Sequence, residues 1–297
     1  MAGLSTFHAS SPMSLFEIWS YEFIRYALIS ACILGPTCAL LGVFVTLRGM
    51  AFFSDSLAHS AVTGVALGFL LEEKTGLAID PMLIVLAFSI GLASLMAWLF
   101  HRTTLRPDTV IAFSFTGSVA LGVIIIAWLQ KYRLLDGILF GSIYANGPDD
   151  IVRQAILALV VCGFLLLQMR PLTLSTLNPE LAQTRGIRTG WLNYAFAILI
   201  AATVVVSLRM LGALLLSALI VIPPAAAKLV SNSFAAILLV SAVIGLAAPF
   251  LGVVASCQLD LPTGPTIVLA NVGVLILCYA ASLFLGNRTL HRGGRPQ

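Results

Sequence analysis

In the stretch MAFFSDSLAHSAVTGVALGFLL, Met50 to Leu71, Asp55 and His59 stand four residues apart inside an otherwise apolar run. On a helix, residues i and i+4 share a face, so a carboxylate oxygen and an imidazole nitrogen are offered to one point. That mixed set suits a divalent transition metal, zinc, manganese or iron, over the all-oxygen shell of magnesium or calcium. Two ligands do not close a zinc site, which takes about four. Two copies of the chain meeting on a two-fold axis would supply two Asp55 and two His59. The spacing leaves other chemistry open: a local hydrogen bond from Asp55 to His59, or Ser54 or Asp55 capping a helix start. Of the other histidines, His8 and His291 lie in the terminal segments and His101 in a basic loop, so only His59 falls inside an apolar run.

The elements that must hold this pair are membrane helices. Of 297 residues, 60% are hydrophobic and 9% charged, and the mean hydropathy is +1.04; soluble domains are about 25% charged. Most segments between turn signals are continuous apolar runs of roughly 17 to 25 residues, the length that crosses a bilayer as a helix, without the alternation of a barrel. The expected fold is all-α and polytopic, with spans near 27–47, 57–71, 81–100, 109–129, 154–169, 192–208, 210–227, 235–256 and 264–285; merging two short spans would give eight. An ionisable residue near the middle of a span costs about 2.5–3.5 kcal/mol, so Asp55 needs partners or water there.

Charge sets the orientation. Arg48, Arg102, Arg106, Arg170, Arg185, Arg188, Lys228, Arg288, Arg292 and Arg295 all follow odd-numbered spans, which puts them in the cytoplasm and the N-terminus outside. The net charge of +4 is spread over these short loops and forms no stripe for nucleic acid. One transmembrane domain, 15–286, is expected between a flexible segment, 1–14, and a basic cytoplasmic tail, 287–297. No basic leader with a cleavage site precedes the first span. The loop from Lys131 to Arg153 mixes apolar residues with Gly and Pro, and could dip into the membrane. The five cysteines (Cys32, Cys38, Cys162, Cys257, Cys278) lie in or beside apolar runs without CxxC spacing, and read as small buried apolar residues.

Two further patterns concern packing and docking. Gly64 and Gly68, with Ala61 and Ala66, thin one side of the Asp55 helix for close helix contact. In RPLTLSTLNPELAQTRGIRTGWLN, Arg170 to Asn193, Asn178 is a natural N-cap, Pro179 suits the first helical position, Glu180 the positive end of the dipole and Gly186 the stop. This predicts an isolated helix of about two turns, which needs a docking surface to be stable.

Taken in order, LLGVFVTLRGMAFFSDSLAHSAVTGVALGFLL, LNPELAQTRGI, LGALLLSALIVIPPAAAKL and LDLPTGPTIVL resemble the ABC-3 family (ZnuB/TroC/MntB-like), the permease subunits of ATP-binding cassette transporters that import zinc, manganese or iron. The similarity runs from about Leu15 to Leu285. The resemblance implies a type II ABC importer permease in the bacterial inner membrane: a homodimer with a central path, an extracytoplasmic metal-binding protein delivering the ion, and a cytoplasmic ATP-binding subunit. It implies a metal-handling role for Asp55 and His59, and an ATPase-coupling role for Asn178, Pro179, Glu180, Ala182 and Gly186. Asn178 departs from a common Asp, which caps comparably. Some manganese members carry further ligands in late spans, where this chain offers only Cys257 and Asp260, the weaker metal candidates.

No GxxxxGK[ST] occurs, so the expectation is a transport subunit with no permanently bound cofactor, using ATP through its partner. Two rivals are a proton-coupled secondary metal transporter, which predicts matched inverted repeats that are not visible, and an intramembrane hydrolase, which predicts HExxH or a nucleophile elbow, neither of which occurs.

Overall fold

The structure, a computed structural model, describes residues 22–76, 80–130, 147–259 and 261–290. The expected flexible segment 1–14, most of the 131–153 loop, Asp260 and residues 291–297 of the tail lie outside them. Every described element is a helix: α1 (Glu22–Leu47), α2 (Phe52–Thr75), α3 (Pro81–Arg102), α4 (Pro107–Leu129), α5 (Pro148–Leu177), α6 (Pro179–Thr184), α7 (Thr189–Val230), α8 (Phe234–Leu259) and α9 (Thr263–Leu290). Proline opens α3, α4, α5 and α6, where the missing N–H costs nothing and φ is already helical. The sequence boundaries shift most at α5, which takes in 148–153 and 170–177 from the expected flanking loops.

Helix α7 is two spans. Gly212 has φ 68° and ψ 168°, backbone that is essentially confined to glycine. Phe196 near the start of α7 and Phe234 just past its end both set their rings against Phe44 of α1, at 6.1 and 5.7 Å. A straight helix of 42 residues would hold its ends about 60 Å apart. The two halves of α7 therefore double back at Gly212.

Eight stretches of the described residues are long and apolar enough to cross a membrane: α1, α3, α4, α5, both halves of α7, α8 and α9. Helix α2 is as long, at 24 residues, yet is too polar to join them. It runs 52–75 where the sequence suggested a short span, 57–71, so eight of the nine expected spans meet the criterion among the described residues. Nothing in hydrocarbon drives one apolar helix onto another, so these helices hold together by close fit. A methyl added at Gly35 of α1 would fall on the carbonyl of Gly245 in α8, and one at Gly42 on the carbonyl of Ile220 in α7. Ser241 Oγ donates to Ala39 O at 3.2 Å across the first of these contacts.

Helix α2 is wedged between α3 and α4 in the same manner. A Cβ at Gly64 would come within 2.9 Å of Val85 Cα on α3, and one at Gly122 of α4 within 2.9 Å of Thr63 Cα; the thin face predicted from Gly64 is thus a packing face. Thr63 Oγ1 donates to Ser118 O of α4. His59 meets Phe115, while Val62 and Ala66 meet Ile126 further along, so α2 and α4 run parallel. Phe53 of α2 meets Phe100 near the end of α3, so α3 runs the opposite way.

These pairings gather one end of the bundle. Arg48, His101, Arg102, Arg106, Arg185, Arg188 and Lys228 lie there, with Asp108 and Glu180. At the other end stand Glu72, Glu73, Asp80, Asp149 and Asp150, with Lys74 and Arg153.

Candidate functional site

Asp55 and His59 meet as their spacing predicts. His59 Nε2 stands 3.6 Å from Asp55 Oδ1, too far for a hydrogen bond. Two donors each about 2.0 Å from one tetrahedral ion stand about 3.3 Å apart, so the pair is close to a chelating bite. Their surroundings are tight: Ser54, Ser56, Leu57, Ala58 and Ser60 are buried, and the Phe115 ring lies edge-on to the imidazole at 5.7 Å. The pair itself is open, with side-chain exposures of 33% for Asp55 and 23% for His59.

The alternative of a cap does not hold. Helix α2 starts after Ala51, which supplies no side-chain acceptor, and Ser54 Oγ is buried without a hydrogen-bond partner among the described residues. Asp55 lies in the first turn, where its charge favours the positive end of the helix dipole. Its depth differs from the sequence expectation. Asp55 is about 5 Å along the axis from Phe52, and His59 about one turn deeper, so the pair lies toward the basic end rather than at mid-span.

The weaker candidates do not complete the site. Cys257 lies near the end of α8, and Asp260 is outside the described residues. Among the described residues no group of three or more His, Cys, Asp or Glu side chains gathers. Of the candidate ligands among the described residues, a single chain thus brings together Asp55 and His59.

The short helix predicted between Asn178 and Gly186 forms. Asn178 Oδ1 accepts from Leu181 N–H at 3.0 Å, Pro179 and Glu180 fill the first turn of α6, and Ala182 is fully buried as its anchor. Gly186 takes φ 75° and its N–H bonds Gln183 O at 2.9 Å, while Ile187 N–H bonds Ala182 O at 3.0 Å, a left-handed stop that a side chain would resist. The exposed face of α6 looks away from the bundle at the basic end.

Arg48 was legible in the sequence only as a loop charge, and it joins these two regions. It sits in the turn between α1 and α2. Its Nε donates to Thr176 Oγ1 at 3.0 Å, Nη1 to Asn193 Oδ1 at 2.9 Å and Nη2 to Ser175 Oγ at 3.3 Å. The guanidinium lies 4.8 Å over the Phe196 ring. Burial pushes its pKa down to about 10, which leaves it charged at neutral pH. Asn193 also bonds the His101 imidazole, Nδ2 to Nε2 at 3.1 Å. Beside Arg48 is a cavity of about 310 Å³, walled in part by Met50, Phe53, His101 and Pro179.

Known proteins resemble the chain over most of its length. The chain is 31% identical over 264 residues to the high-affinity zinc uptake system membrane protein ZnuB of Haemophilus influenzae, covering 86% of this chain and 97% of that one. It is 29% identical over 259 residues to the manganese import system permease protein ScaB of Streptococcus parasanguinis, covering 87% and 90%. Among solved structures, PsaBC from Streptococcus pneumoniae in complex with Fab matches with a TM-score of 0.76 and 24% identity over 89% of this chain and 94% of that one, a likeness of fold. The model of the ABC 3 transport family matches residues 20–282, and the chain belongs to that family.

Proposed function

We propose that the chain is the membrane permease subunit of an ATP-binding cassette importer, and that it moves a divalent transition metal, zinc, manganese or iron, across the inner membrane. Family membership over residues 20–282 supports the permease role, and relatives named for zinc and manganese support the substrate class. The observation that carries the reading to particular residues is the open Asp55–His59 pair on α2, 3.6 Å apart. Charged side chains do not face lipid without cost, so this pair faces a path or a second chain. A second copy supplies the other half-site.

The chemistry asked of the pair is transient. Two ligands per chain hold an ion loosely enough for it to leave, which a closed high-affinity cage prevents. The basic end faces the cytoplasm, as the excess of arginine there supports. Helix α6 docks there on a separate ATPase, which binds and hydrolyses the nucleotide; closure of the ATPase pair pushes on α6 and switches the dimer between outward-open and inward-open states. An extracytoplasmic binding protein delivers the ion at the acidic end.

The test is metal uptake by proteoliposomes holding the permease, its ATPase and its binding protein, with zinc, manganese and iron compared. ATP-dependent uptake of one metal, lost in Asp55→Ala and in His59→Ala with the complex still assembled, is the expected result. Uptake that survives both changes removes the pair from the path, and no ATP-dependent uptake of any of the three removes the substrate class.

A further inference from the structure

We propose that Arg48 is the link through which movement of α6 reaches the Asp55–His59 pair, and so a positioning residue for transport. The inference rests on the reading that α6 receives the ATPase stroke and that the pair handles the ion.

The geometry is a bracket. Ser175 and Thr176 belong to the last turn of α5, directly before Asn178, the N-cap of α6. Asn193 belongs to the start of α7, just after the loop that leaves α6. One guanidinium holds both sides, through Nη2 and Nε on α5 and Nη1 on α7. Displacement of α6 must therefore carry Arg48 along or break these bonds. A lysine has three N–H donors on one nitrogen and no planar fork, so it does not reproduce bonds that leave from three separate nitrogens toward two helices.

From Arg48 onward the connection is stiff. Arg48 N–H bonds Phe44 O at 3.1 Å, Gly49 N–H bonds Thr46 O at 3.2 Å, Met50 N–H bonds Val45 O at 3.0 Å and Phe53 N–H bonds Met50 O at 3.0 Å. These bonds fix the turn against both helices, and Asp55 lies two residues past Phe53. A shift of the guanidinium thus becomes a shift or rotation of the start of α2, where the chelating bite is set.

The choice of partners fits a joint that moves. All three acceptors are neutral, and among the described residues no carboxylate pairs with Arg48. Exchanging neutral acceptors strands no buried anion, whereas parting an arginine from a buried carboxylate does. The adjoining cavity of about 310 Å³ gives the side chain space to travel, and the Phe196 face 4.8 Å beneath it gives a surface to slide on.

The experiment measures ATP hydrolysis and metal uptake together in the reconstituted complex, for Arg48→Lys, Arg48→Gln and the double variant Ser175→Ala/Thr176→Val. The double variant cuts only the α5 side and leaves Arg48 in place. The expected result is uptake lowered about tenfold with hydrolysis by the assembled complex within about twofold of native, in Arg48→Lys as well as Arg48→Gln. Uptake and hydrolysis that both stay native, or that fall in parallel in assembled complexes, overturn the proposal. Loss of assembly by all three variants on size-exclusion chromatography also overturns it, because the bonds then serve the fold. A native complex without ATP-dependent uptake instead overturns the underlying functional reading, and the proposal with it.

Discussion

Replacing Gly42 by alanine puts a methyl group where α1 crosses the second half of α7. The new Cβ would fall on the carbonyl oxygen of Ile220, 2.8 Å from its carbonyl carbon and 2.9 Å from Pro224 Cγ, whereas ordinary contact begins at 3.4 Å. Two of these three atoms are backbone and the third belongs to a ring, so none turns aside. The carbonyl oxygen, nearer than either carbon, sets the demand: the helices must part by more than about 1 Å, along a contact whose strength lies in its closeness. Overpacking of this kind costs about 3 kcal/mol, against which alanine returns at most about 1 kcal/mol of helix propensity, for a net loss of about 2 kcal/mol. Gly91, on the exposed side of α3 with nothing among the described residues within 4 Å of its added Cβ, is the control, and Gly91→Ala should gain about 0.5–1 kcal/mol from propensity alone. Reversible unfolding in mixed micelles of lipid and denaturing detergent measures both. A Gly42→Ala protein as stable as Gly91→Ala would refute the reasoning that close backbone approach holds the bundle.

Other substitutions test other joints. Gly212→Ala forces a side chain into φ 68° and ψ 168° and should cost about 1–3 kcal/mol, read as lowered thermal stability in detergent. Asn178→Ala removes the N-cap of α6 and about 1 kcal/mol, while Asn178→Asp keeps both; capture of the ATPase by immobilised permease should weaken only in the first. Thr63→Val deletes the hydroxyl that ties α2 to Ser118 O of α4 and should cost about 1 kcal/mol, seen as faster hydrogen exchange in α2.

The spans were legible because lipid demands long apolar runs, and the arginines between them marked the turns. The α6 cap was legible too, since Asn178, Pro179, Glu180 and Gly186 act within a few residues of one another. Helix α2 was read too short, because Asp55 and the Glu72–Glu73–Lys74 end look like flanks by composition although the backbone stays helical through both. The depth of Asp55 also escaped the sequence: it depends on where α2 begins, and that is set by the left-handed Gly49 turn. Arg48 was read as topology alone. Its acceptors lie 127, 128 and 145 residues away, at separations no local pattern reports.

The polarity of α2 bears on how the chain enters the bilayer. A translocation channel sorts segments by their own affinity for lipid, and α2, with Asp55, His59 and an acidic end, scores below its neighbours. Its sites of stability are Gly64 against Val85 and Thr63 against Ser118, on helices synthesised after it. Helix α2 must therefore wait beside the channel or be drawn in once α3 and α4 emerge. The segment that carries Asp55 and His59 is thus slower to enter the bilayer than α1, α3 and α4, and a nascent chain halted before α4 leaves it accessible to water-soluble thiol reagents at engineered cysteines.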